Sequence, residues 1–230
     1  MTTIVQIACA QTTWPYFSVT HLFRVVVALI GMVLSSVPGH ASSNDHLDIG
    51  MLSATKKISD KHTLFMAGGT VVENFKGELA TIGVSGKIND SLSWQSAYFP
   101  NSARIEGEER HYDHRLRGSL TYKHNVGDWT LSHRSRVEYR VGDVSDGFRY
   151  RPAFNLSHPL TIADMKLKTY IEFEPIYDFR AHSDTLALYI AGVAIPLLER
   201  VTLDVAYFRV HNQQTEKDTF GPQVILNIRL

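Results

Sequence analysis

The side chains best suited to chemistry in this chain of 230 residues cluster in one run, His133 to Arg140. His133 and Ser135 stand two apart, as a general base and a hydroxyl nucleophile would on one face of an extended backbone. Arg134, Arg136, Glu138 and Arg140 occupy the opposite parity. Guanidinium groups present planar forks of donors that hold carboxylates or phosphates by two bonds at once. A second candidate is His111-Tyr112-Asp113-His114, three metal-ligating residues in a row of four. On a strand His111 and Asp113 face one side and His114 the other, so they do not converge on an ion. The chain contains no phosphate-binding loop, dinucleotide fingerprint or HExxH zinc motif. Its single cysteine, Cys9, excludes a disulfide scaffold and a cysteine zinc site. No cofactor or metal is expected. With 23 basic and 23 acidic residues, nothing points to nucleic acid.

The opposed parities identify the elements that must position these groups. Over 129–141, Trp129, Leu131, His133, Ser135, Val137, Tyr139 and Val141 share one face, and Thr130, Ser132, Arg134, Arg136, Glu138 and Arg140 share the other. Over 165–177, Met165, Leu167, Ile171 and Phe173 oppose Lys166, Lys168, Glu172 and Glu174. The C-terminus sets Val224, Leu226, Ile228 and Leu230 against Gln223, Asn227 and Arg229. Period two means strand. The runs exceed the five or six residues usual in soluble sheets and match the roughly 9–11 of a tilted membrane strand. Aromatics such as Trp94, Tyr98, Tyr122, Trp129 and Tyr207 sit near the ends of apolar faces, as interfacial girdles do.

Strand windows fall at about 46–57, 62–74, 78–88, 91–99, 110–124, 129–141, 148–160, 164–178, 184–196, 200–211 and 220–230. Connections alternate between longer and shorter, and a periplasmic C-terminus makes the longer ones external. The longest, residues 101–109, has acids at Glu106, Glu108 and Glu109 beside Arg104 and reads as a solvated loop at the level of lipopolysaccharide. Eleven windows, set against the even parity of single-chain bacterial barrels, predict 10–12 strands, with 12 favoured.

Residues 21–41 have the layout of a secretory signal: Arg24, an apolar run from Val25 to Leu34, the helix breaker Pro38, and small residues at Gly39 and Ala41. The stretch is too short to span a bilayer as a helix, which needs about 20 residues. The expected division is a leader and signal peptide over 1–41 and an outer-membrane β-barrel over 42–230. The mature part holds 22 basic and 23 acidic residues and no cysteine.

In such a barrel the charged parity must face the lumen, since a basic residue facing lipid at mid-depth costs roughly 2–4 kcal/mol. The expected lumen charge network is Arg115, Arg117, Arg134, Arg136, Glu138, Arg140, Arg149, Arg151, Glu172 and Glu174. A turn at 125–128 would set Arg115 opposite Glu138 and Arg117 opposite Arg136. A turn at 142–147 would set Arg151 opposite Glu138, with Glu172 or Glu174 near Arg149 or Arg151. This network reads as a salt-bridge lattice filling a narrow barrel or as a basic constriction favouring anionic solutes.

Several segments resemble a known family: "DIGMLSATKKISDKHTLFMAGGT" and "IGVSGKINDSLSWQSAYF" within 47–99, "YDHRLRGSLTYKHNVGDWTLSHRSRVEYR" over 112–140, "RYR" at 149–151 and "YFRV" at 207–210. The pattern is similar to a family of Gram-negative outer-membrane proteins known only as a domain of unknown function. That family has strands paired at KKI-x-x-K and a W-x-L-x-x-R-x-R-x-E-Y-R strand. The resemblance implies an outer-membrane barrel and brings no catalytic residues. The chain departs from it at its end, where Leu230 stands in place of the usual aromatic. His133-x-Ser135 also resembles the His-x-Ser core of the lipid A deacylase and outer-membrane phospholipase families. Here Arg136 replaces their Asn, and the nearest in-strand acid, Glu138, points the other way.

The sequence therefore predicts an all-β, antiparallel up-and-down transmembrane barrel in the bacterial outer membrane and no enzyme. The expected function is a small porin-like passive channel with a basic, salt-bridged lumen. The alternatives are a non-conducting structural or surface-interaction barrel and, third, a lipid-modifying enzyme. Expected partners are outer-membrane lipid and lipopolysaccharide, the barrel-assembly machinery and small anionic solutes.

Overall fold

The computed structural model describes residues 45–72, 75–105, 109–142, 146–162 and 165–230, and the expected leader and signal peptide lie outside them. Every regular element among the described residues is a strand: β1 (Asp45–His46), β2 (Asp48–Lys57), β3 (His62–Val72), β4 (Phe75–Lys87), β5 (Leu92–Ile105), β6 (His111–Val126), β7 (Trp129–Gly142), β8 (Gly147–Tyr150), β9 (Ala153–Ile162), β10 (Met165–Asp178), β11 (Ser183–Leu198), β12 (Val201–Asn212) and β13 (Lys217–Arg229). The period-two pattern produces a two-faced wall. Leu116, Leu120, Leu131, Val137 and Ile171 are exposed on the outer face, while Arg117, Glu138 and Glu174 on the other parity are half-buried or buried.

Neighbouring strands pair antiparallel from β2 to β13, with β8 and β9 together forming a single rung between β7 and β10. β13 then pairs with β2 in parallel, from Gln223↔Ile49 to Arg229↔Thr55, and closes the sheet on itself. Eleven strands form the closed barrel. The short β1, also parallel to β13, brings the total to twelve, within the expected 10–12. An odd ring of hairpins cannot close antiparallel, because its first and last strands run the same way. One barrel end carries the connections 58–61, 88–91, 127–128 and 199–200, the C-terminal end of β9 and the start of β10 (the turn end, with Leu230). The other carries the C-terminal ends of β3, β5, β7, β10 and β12 (the loop end).

Three departures from the sequence reading have physical causes. The strand expected over 91–99 runs on to Ile105, so residues 101–105 of the predicted long loop are paired, with Ser102 opposite Tyr112. Pro100, which has no N–H to donate, instead breaks the ladder towards β4, where pairing jumps from Leu79↔Asn101 to Ile82↔Tyr98. β8 and β9 are split at Pro152, which the flanking registers set opposite Pro175, so neither strand has a donor at that rung. The third is register. The β6–β7 turn is two residues, Gly127 and Asp128, not four, so Arg117 faces Glu138 and Arg115 faces Arg140, a shift of two from expectation. On the far side Glu138 faces Arg149, not Arg151.

Gly127 has φ 58°, a left-handed value at the first turn position, as two-residue hairpins with a leading glycine require. No atom lies within 4 Å of where its Cβ would stand. Gly127→Val is therefore expected to cost about 1–2 kcal/mol through backbone strain alone, read as a lower urea midpoint of the folded barrel.

Candidate functional site

In the half of the bore nearer the loop end, buried inward side chains come from strands all round the barrel. They include Val71 on β3, Phe99 on β5, Asp113 on β6, Glu138 and Arg140 on β7, Glu174 and Asp178 on β10, and Phe208 on β12. Glu138 is 0%, Glu174 2% and Arg140 3% exposed. Charges buried this far persist only when paired and hydrogen-bonded, and here they form a lattice. Glu138 Oε2 accepts from Arg117 Nε at 2.6 Å and from Arg151 at 3.4 Å, with Arg115 3.9 Å from Oε1. Glu174 accepts from Arg151 Nε at 2.5 Å and from Arg134. Arg134 also reaches Glu172 at 3.3 Å, whose other oxygen accepts from Asn155 at 3.2 Å. Nearer the rim, Asp178 takes Arg140 at 2.7 Å and Arg149 at 3.0 Å, and Asp113 takes Arg115 at 2.6 Å. The Arg117 guanidinium also lies 3.7 Å from the centre of the Phe99 ring, a cation–π contact.

The two-residue register shift does not disperse the charges, because arginine side chains reach diagonally. Arg151 bonds both Glu138 and Glu174 although neither is its direct strand partner. Nine of the ten residues predicted to line the lumen therefore join one connected set of contacts or its rim. The exception is Arg136. It faces inward opposite Ser119, and among the described residues no hydrogen bond or ion pair reaches its guanidinium.

The turn end of the bore carries a different set of charges. A pocket of about 240 Å³ at its mouth is lined by Lys61, Lys87 and Lys123 with Asp90, Thr63, Ser85 and Ser93. None of the three ammonium groups has a carboxylate partner among the described residues. Lys57, beside them, is held by Asp60 at 2.9 Å, and this contact keeps the Asp60 carboxyl below its usual range. The sequence reading names no site at these lysines, because Lys61, Lys87 and Lys123 lie on three separate segments.

The other candidates behave as their parity dictates. His133 Nε2 lies 3.1 Å from Ser135 Oγ on the outer face, and Ser135 in turn lies 3.2 Å from the Tyr150 hydroxyl. Among the described residues no acid orients the imidazole and His133 Nδ1 is buried without a partner; the ring packs on Phe154 at 4.7 Å. Asp113 faces inward, while His114 faces outward and bonds the Tyr98 hydroxyl at 2.7 Å. No group of three or more metal-ligating side chains is found among the described residues.

Residues 50–221 match the family described as "Protein of unknown function (DUF2490)". No curated protein matches the chain. Among solved structures, the chain is similar to LpxR from Salmonella typhimurium, with 10% sequence identity over 73% of this chain and 83% of that one and a TM-score of 0.49. The expectation that the chain is no enzyme is corrected: the comparisons give that exclusion no support, and it is withdrawn.

Proposed function

The chain belongs to the DUF2490 family of proteins of unknown function, and from that premise we propose an outer-membrane barrel whose bore is occluded, acting by binding and surface interaction and not as a conduit. One observation supports this reading above the others: Glu138, Glu174 and Arg140 lie inside the barrel yet are almost wholly cut off from solvent. A water-filled channel would leave such side chains wet, as the interiors of porins are. The lattice therefore favours the non-conducting alternative over the porin-like channel expected from the sequence.

In this reading the outer wall, with its apolar belt, sits in outer-membrane lipid and lipopolysaccharide, delivered there by the barrel-assembly machinery. Planar-bilayer recording tests it. Protein whose heat-modifiable gel migration proves it folded is expected to give no discrete conductance steps, and reproducible single-channel steps from that material would overturn the occluded bore.

A further inference from the structure

The geometry points to a binding site for a small phosphate-bearing solute at the middle of the bore, approached from the turn end and anchored by Arg136. Of the seven arginines in the interior, six are held by carboxylates. Arg136 is not, and the charges nearest it are mostly of its own sign: Arg134, Arg151 and Arg117. The one carboxylate close by, Glu174, is already taken by Arg134 and Arg151. A guanidinium held among three others is a standing electrostatic cost unless an anion joins it.

A second observation points to the same place. Arg134 Nε is buried without an acceptor, although other atoms of that guanidinium are bonded. Two neighbouring forks thus hold unused N–H donors. That set suits a group with several acceptor oxygens and a charge near −2, the chemistry of phosphate.

The approach to these donors is also basic. From the mouth, the inward rungs of β6 and β7 pair Lys123 with Ser132, Thr121 with Arg134 and Ser119 with Arg136. The hydroxyl side chains beside the arginines add donors. Lys61, Lys87 and Lys123 outnumber Asp90 at the entrance, so the field draws anions inward. Glu172 and Asp204, the other acids facing this region, are engaged by Arg134 and by the Tyr170 hydroxyl at 2.7 Å. A lipid phosphate is a poorer occupant, since its acyl chains would have to enter a polar bore. With the C-terminus periplasmic, the vestibule opens to the periplasm. Its closed floor rests on the occluded bore proposed above, but its anchor does not.

Pyrophosphate is titrated by calorimetry into the full chain folded in dodecyl maltoside, a detergent without phosphate. The expected result is one saturable site per barrel, weakened at least about tenfold by Arg136→Gln and less by Arg136→Lys, which keeps the charge and loses the fork. Without pyrophosphate, Arg136→Gln should unfold at the same or higher urea concentration than the parent, because repulsion is relieved. Absence of saturable binding, unchanged binding in Arg136→Gln, or binding seen only after phosphatidylglycerol is added overturns the site. A folding defect in ligand-free Arg136→Gln overturns it too, by making Arg136 a structural member of the lattice. Calorimetry does not read conductance, so an open bore in planar bilayers and an absent anion site remain separate failures.

Discussion

Glu138→Gln is expected to cost the folded barrel about 3–5 kcal/mol, the penalty for removing one partner of a buried ion pair. The substitution keeps the shape of the side chain and a carbonyl acceptor and removes only the charge. Arg117, at 2.6 Å, and Arg151, at 3.4 Å, would then lack the carboxylate between them, with Arg115 close by. Glu174 cannot compensate, because Arg134 and Arg151 already occupy it. Urea unfolding in lipid vesicles, followed by tryptophan fluorescence, measures the loss. A midpoint equal to the parent's would mean that the lattice does not hold the interior together, and the case for an occluded bore would fall with it.

Leu116→Arg tests the other face. Leu116 is exposed on the outer wall between Arg115 and Arg117, both of which point inward. An arginine at 116 would add the side chain that its two neighbours already have, on the opposite side of the sheet. If that side meets hydrocarbon, the cost is about 2–4 kcal/mol at mid-depth, and the fraction of chain reaching the heat-modifiable form drops. Were the barrel in water, a third arginine there would be nearly neutral, so an unchanged midpoint would remove the protein from the membrane.

Which face each residue occupies was legible because two constraints reinforce each other: strands alternate strictly, and lipid rejects charge. Register was not legible, because it depends on the geometry of a few turn residues. Reading 125–128 as the turn in place of Gly127-Asp128 moves every β6–β7 pair by two. That small error hid the feature of greatest interest. In the expected register Arg136 faces Arg117, one repulsive pair among several. In the actual one Arg117 gains Glu138 and Arg136 is left opposite a serine. The interruption at Pro152 was equally hidden, since it depends on Pro175 arriving at the same rung of the neighbouring strand. The mouth lysines needed three dimensions, as Lys61, Lys87 and Lys123 lie on three separate segments. Even parity, a regularity of other barrels, gave no means of foreseeing an odd ring with a parallel join.

That join has a kinetic consequence. Every other strand pairing in the ring links segments adjacent along the chain, so hairpins can form early and locally. The β2–β13 pairing links residues 49–55 to residues 223–229, nearly the full length of the folded part. Contacts of such sequence separation demand the largest loss of chain freedom before they return any stability. Closure is thus expected to be the last and slowest step of assembly, and until it is taken two rows of peptide groups lack partners, a cost that hydrocarbon surroundings would raise.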